Sequence, residues 1–275
     1  MQEDKTMRGF RWTLVRLSKP EASHHNVART LVQVNEVKGN ITRAISKIRV
    51  KYSKEKPLRF LTHLEVVSAI RQSVRRASLP VCMSSGFSPQ PKISFGPPLA
   101  VGYTSTCEIF DMEMFRRIGA DEVEKALSSS MPPALGIISA ASVPVVSKSV
   151  DLLVNVAKYS ADMSLQNEVA QIKIKDFFSA KEFLIERITD KSRRTIDVRP
   201  LMVYMKCLDP DIHRGETVFQ RSQIEMLLRF GPQKTAKPDV VIQKIFGLTD
   251  DEKSELIINR DEFFYETANG ELREI

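Results

Sequence analysis

Between residues 47 and 77 the spacing of apolar residues switches from two to about 3.6, which restricts the fold more than any single motif does. Ile48, Val50 and Tyr52 alternate with Lys47, Arg49 and Lys51, the signature of a strand with one buried face. From residue 62 the period is helical: Leu64, Val67, Ile70, Val74 and Ala77 form a stripe. Thr62 and Glu65 precede it as a capping box, which satisfies first-turn amides that have no partner inside the helix. Leu79-Pro80 ends the helix, because a proline disfavours helical backbone at the residue before it.

The same reading continues along the chain. It predicts strands near 92–95 and at 106–114, a helix over 121–127 and a strand over 135–141, which gives the order β-α-β-β-α-β. The segment 142–149 (SVPVVSKS) reads as a linker. A second set follows: a strand at 152–159 and a helix at 176–188 with Phe177, Leu184 and Ile188 on one side. Strands are predicted at 196–206 and 223–230, then a short helix opened by Pro238 and closed by Gly247, then a strand at 257–265. The prediction is an α+β protein of two tandem ferredoxin-like modules, residues 47–146 and 150–270, behind a poorly structured basic extension at 1–46.

At 275 residues and 42% hydrophobic composition the chain can bury a sizeable core. No run of about 18 apolar residues is present, so no membrane helix is expected, and the charged N-terminus does not read as a secretory leader. Cys82, Cys107 and Cys207 are far apart and lack zinc or iron–sulfur spacing. They read as reduced thiols of a cytoplasmic protein. Residues 1–50 hold ten basic and four acidic residues, +6 of the total net charge of +7. Such an arm could attract phosphates or simply be a solvated extension.

Several residues are candidates for a site. His63 falls on the apolar stripe at the helix start, where it is either a core residue or a neutral hydrogen-bonding group beside Arg59. Arg71 and Arg75 are one helical turn apart and could follow a phosphate backbone, or form a solvated rim. The loop Ser84-Ser85-Gly86-Phe87-Ser88-Pro89-Gln90-Pro91-Lys92 carries a glycine that permits positive φ and prolines that stiffen its neighbours. Its Phe87 could stack on a base or anchor the loop, and Lys92 could reach a phosphate. Asp197 and Arg199, two apart, are expected on one strand face. Asp111 and Glu113 also share a face, but no nucleophile, base and orienting group assemble, and no phosphate-loop, dinucleotide, zincin or nucleophile-elbow motif occurs.

Three of these stretches together resemble the DUF2344 family of radical SAM-linked bacterial proteins. They are Arg59-Phe60-Leu61-Thr62-His63-Leu64-Glu65, Ser85-Gly86-Phe87-Ser88-Pro89-Gln90-Pro91-Lys92 and Asp197-Val198-Arg199-Pro200-Leu201. The resemblance implies an accessory partner of a separate B12-binding-type radical SAM enzyme, with RNA as the expected substrate. The iron–sulfur cluster, S-adenosylmethionine and any cobalamin would then belong to that partner, with no cofactor in this chain. The chain departs from the family pattern at Thr62, Glu65, Ser88 and Gln90. Thr62 and Glu65 keep the capping logic, while Gln90, where the family has histidine, removes a titratable group and argues against acid–base work there.

The leading expectation is therefore a non-catalytic binding subunit that presents RNA or another anionic substrate. Arg59, His63, Arg71, Arg75, Gly86, Phe87, Lys92 and Arg199 would form its binding residues, in a pocket built by the capped helix and the 84–92 loop with Arg199 nearby. Two alternatives stand beside it: an RNA-processing endoribonuclease with His63 as general base, by analogy of fold alone, and a protein-only adaptor.

Overall fold

The alternation at 47–52 becomes β1 (Ser46–Lys54), with Ile48, Val50 and Tyr52 buried. The computed structural model describes residues 42–189, 192–208, 222–231 and 235–275, without the side chains at 187–189, 192 and 193. The basic extension expected at 1–46 lies outside the described residues as far as residue 41, and its last residue, Ser46, opens β1. A single 3-10 turn (Lys56–Leu58) leads into α1 (His63–Arg76). Then come β2 (Ile93–Phe95), β3 (Thr104–Met114), α2 (Ala120–Ser128) and β4 (Ile137–Val143). One helical turn, α3 (Val150–Leu153), precedes β5 (Val156–Met163), α4 (Asn167–Ser179) and the hairpin β6 (Leu184–Thr189) and β7 (Ser192–Asp197). The chain continues through β8 (Met202–Leu208), β9 (Ser222–Arg229), α5 (Pro238–Phe246), α6 (Asp250–Ser254), β10 (Ile257–Glu266) and β11 (Leu272–Glu274).

The expected α+β class holds, on one large mixed sheet. Nine strands run in the order β4-β1-β3-β10-β5-β9-β8, with β2 added to β3 and β11 to β10, while β6 and β7 pair only with each other. Among the described residues every pairing is antiparallel except the short parallel contact of β10 with β3, at Asn259–Thr104 and Arg260–Ser105. That contact carries the sheet from one half of the chain into the other.

Two apolar cores lie on opposite faces of β3, a consequence of side-chain alternation along a strand. Phe110, Met112 and Met114 face a core completed by Ile70 and Val74 of α1 and Leu127 of α2. Cys107 and Ile109 face the other, which includes Phe177 of α4 and Val241 and Ile242 of α5. β3 therefore reads as a nearly continuous buried run rather than a half-exposed strand.

The structure corrects several expectations. In α1 the buried arc is Val66, Val67, Ile70, Ser73 and Val74, so Leu64, expected inward, is 77% exposed on its flank. The helix expected at 176–188 is α4, which ends at Ser179; Leu184 belongs to the β6–β7 hairpin instead. Phe177 and Phe183 pack edge to face at 4.9 Å, which ties the end of α4 to the segment leading into β6. The strand expected at 196–206 is broken around Pro200, which cannot donate a ladder hydrogen bond. Asp197 Oδ1 accepts from the amides of Phe183 and Arg199 at 2.9 and 3.0 Å, closing a side-chain turn at the break. Arg199 consequently leaves the strand and does not share a face with Asp197. The strand expected at 152–159 starts later, because residues 150–153 form a turn of helix that buries Val150.

Candidate functional site

The candidate surface is built from β1 outward. Lys54, at the end of β1, is only 2% exposed, and its ammonium donates to the carbonyls of Arg59 and Leu61 at 3.1 and 2.9 Å. Gly102, at φ +91°, brings its amide to the same Arg59 carbonyl at 2.8 Å. These bonds fix the entry to α1. Thr62 and Glu65 then cap it in both directions: the Glu65 carboxylate accepts from the Thr62 amide at 2.7 Å, and the Thr62 hydroxyl accepts from the Glu65 amide. The amide and the hydroxyl of Thr62, the latter also donating to that carboxylate at 2.8 Å, hold the exposed Glu65 carboxyl below its ordinary pKa. Burial lowers the pKa of Lys54, with Glu108 acting against that shift.

With the helix start fixed, Arg59 stacks its guanidinium on the exposed ring of Phe60, 4.6 Å from the centroid. Both line an open groove whose other walls are Val101, Gly102 and Tyr103 and whose rim carries Asp250 and Lys253. His63 turns the other way. Its ring meets Phe95 edge to face at 6.1 Å, and partial burial lowers its pKa below 6.5, so it is neutral at neutral pH.

The 84–92 loop is a hairpin on the edge of β3. Cys82 and Lys92 flank it with a backbone bond of 2.7 Å, and Met83 bridges Pro91. Inside it, the Ser84 amide donates to the Gln90 carbonyl at 2.8 Å, and the Gln90 amide donates to the Ser84 hydroxyl at 3.0 Å. The tip turns at Gly86, whose φ of +142° is open to glycine and strained for other residues. Phe87 beside it is fully exposed, so it does not anchor the loop. Arg75 ties the hairpin to α1, donating to the Gln90 amide oxygen at 2.7 Å. Gln90 thus has a structural role that the sequence reading did not foresee.

The other expected residues divide. Lys92 is turned toward the sheet, donating to the Thr42 carbonyl at 2.9 Å with the Glu113 carboxylate 3.7 Å away. Arg71 is half-buried, with its Nε enclosed and without a hydrogen-bond partner among the described residues. Arg199 lies over Phe178 and Phe177, 4.7 and 5.8 Å from their centroids. It precedes β8, the last strand of the sheet, four strand spacings of ~4.8 Å from β3, and it packs with α4 rather than α1. The expected pocket with Arg199 nearby is therefore not formed. Arg59 and His63 sit at the start of α1, whereas Arg75 and the hairpin that carries Gly86 and Phe87 sit at its other end, about 18 Å along the helix axis, and Arg199 is elsewhere.

Sequence reasoning missed the buried ion pair that sits where the two cores meet. Arg260 of β10 donates from Nε and Nη2 to the Glu108 carboxylate of β3 at 2.6–2.9 Å, and from Nη2 to the Pro97 carbonyl at 3.0 Å. Its guanidinium also lies 4.5 Å from the Phe263 ring centroid. Burial works against its charge, and the facing Glu108 carboxylate outweighs that, so Arg260 stays protonated. Burial, reinforced by Glu108, pushes the Cys107 thiol up to about 12 and makes it inert as a nucleophile. A charge inside the apolar run Cys107-Glu108-Ile109-Phe110 was the available signal, since a buried carboxylate requires a cation. Asp111 satisfies the same rule with Arg49, at 2.8 Å.

The fold and this surface define the class: an α+β protein on one mixed sheet, displaying a rigid aromatic-tipped hairpin beside a capped helix. The chain belongs to the DUF2344 family, an uncharacterized protein family conserved in bacteria, whose model matches residues 47–238. That span contains all three motifs that carried the resemblance. No curated protein matches the chain. Among solved structures it is similar to a chain of a Cbf5-Nop10-Gar1 complex, at 13% identity and a TM-score of 0.41 over 82% of this chain. The match spans half the length of that chain. Among the described residues no helix is long and apolar enough to cross a membrane.

Proposed function

We propose that this protein is a non-catalytic binding subunit that holds RNA for a separate radical SAM enzyme, with the 84–92 hairpin as its contact. The observation that carries the reading is Phe87: a fully exposed aromatic ring on a hairpin held by Arg75 and Ser84. Exposing such a ring forgoes burial worth about 1.5–3 kcal/mol, and a rigid tip loses little entropy when a base stacks on it. The Arg59–Phe60 stack offers a second cation and ring near the start of the same helix. The radical SAM partner rests on the family resemblance, and on this reading the cluster, S-adenosylmethionine and any cobalamin are the partner's. The protein would work in the cytoplasm, where its thiols stay reduced.

The two halves are best read as ferredoxin-like units fused edge to edge. The orders β4-β1-β3-β2 and β10-β5-β9-β8 support that reading, with the β6–β7 hairpin as an insertion in the second unit.

Binding of single-stranded RNA at low salt tests the proposal. Phe87→Ala is expected to weaken it by the ~1–3 kcal/mol of one stacked base without changing thermal stability. A steep fall of affinity with salt would identify phosphate contacts, whereas a salt-insensitive complex with a captured radical SAM protein would point to a protein adaptor. Absence of both RNA and that enzyme from material purified at low salt would end the proposal.

A further inference from the structure

A second concavity lies apart from the hairpin, between the Pro97–Tyr103 segment, strands β5 and β9 and the entry to α5. Its volume is about 300 Å³, at the lower end of small-ligand sites. Its walls are apolar and aromatic: the rings of Tyr103, Tyr159 and Phe230 line it together with prolines and Leu228. Two cations bear on it from different depths. Arg260 lies at the bottom, 2% exposed, and Lys237 stands exposed at the mouth.

These two cations are not equivalent. The Arg260 charge is already met by Glu108, and its Nη2 is spent on that carboxylate and on Pro97. Nη1 makes a longer contact, 3.4 Å to the Pro98 carbonyl. The guanidinium is also hydrogen-bonded to Tyr159, so the inner end is a neutralised polar edge that suits a neutral oxygen acceptor rather than a second anion. Lys237 ends in a solvated ammonium and suits a full negative charge. Tyr103 is held in place, since its hydroxyl donates to the Asp239 carboxylate at 2.6 Å and accepts from the Asp239 amide at 2.9 Å. The complementary ligand has a flat aromatic body, carbonyl or ring acceptors at its inner end and an anionic group at its outer end.

We propose that this cleft binds a nucleotide, with its base between the aromatic walls, an acceptor edge toward Arg260 and its phosphate at Lys237. The same chemistry can come from a free nucleoside monophosphate or from one nucleotide extruded from an RNA chain. The inference rests on the cleft alone and does not require the hairpin to bind RNA.

Calorimetric titration of the full chain with the four nucleoside 5′-monophosphates, their nucleosides and a short single-stranded oligonucleotide tests it. Saturable binding of at least one monophosphate with Kd below about 1 mM is expected, tighter than its nucleoside. Lys237→Glu, a surface change, should weaken that binding about tenfold and remove the preference for the phosphate form. Ala236→Phe, which fills the buried wall, should abolish it. If only the oligonucleotide binds and Lys237→Glu weakens it equally, the nucleotide comes from RNA. Should neither probe bind, or should binding be indifferent to Lys237→Glu, the proposal is overturned, and Lys237→Glu decides this even if Ala236→Phe fails to fold.

Discussion

Glu108 and Arg260 show how much one residue pair can govern. Both are buried, and each is tolerable only because the other is present. Arg260→Met leaves an unpaired carboxylate in the interior and is expected to cost about 3–5 kcal/mol in denaturant unfolding. Adding Glu108→Leu should recover most of that loss, because the second change removes the charge left behind. His63 makes a subtler contribution. Burial favours its neutral form, so the unfolded chain binds a proton more readily. Its stabilising contribution is complete above the ordinary value of 6.5 and is lost as pH falls from there toward the lowered folded value. The drop in Tm between about pH 7.5 and pH 5.5 should therefore be smaller in His63→Gln than in the parent protein.

At the scale of elements, α1 and the hairpin behave as one unit. The capping box sets the first turn of the helix, and the Arg75–Gln90 bond near its last turn fixes the hairpin. Thr62→Ala removes the cap and is expected to cost about 1 kcal/mol by thermal or chemical unfolding. The capping box was legible because it is a local code: two side chains, three residues apart, satisfying each other's amides. The alternation of β1 and the Pro238–Gly247 bounds of α5 were legible for the same reason, and Gly247 takes the left-handed φ of +67° that a helix end favours. The α4–β6 boundary was not, since the spacings of Phe177, Leu184 and Ile188 fit a helix face while Leu184 and Ile188 equally fit one face of a strand until a partner decides.

For the whole molecule the decisive element is β10. It is the next-to-last strand in the chain, yet it lies mid-sheet between β3 and β5 and carries Arg260 to Glu108. A fragment of residues 42–149 would keep β1 to β4 but leave Glu108 unpaired and bare the Cys107 and Ile109 face of β3. It is expected to lack dispersed amide proton spectra and to aggregate, whereas the full chain should unfold in one transition. A fragment that folds and stays monomeric would show that the sheet is divisible there.

The amino-acid sequence by itself determined what short range can encode: where most strands and helices begin, how α1 is capped, that Gly86 sits in a stiff turn, and which family the chain belongs to. Each of these depends on neighbours within about one helical turn or on a contiguous motif. Tertiary structure alone decided that Phe87 projects while Lys92 folds back to Glu113, that Arg199 packs on Phe178 far from α1, and that the halves join through β10. Those outcomes follow from burial and from pairing between residues far apart in the chain, 152 residues for Glu108 and Arg260 and 163 for Arg260 and Pro97. Local periodicity records that a side chain is charged or apolar, but not which distant partner will neutralise or cover it.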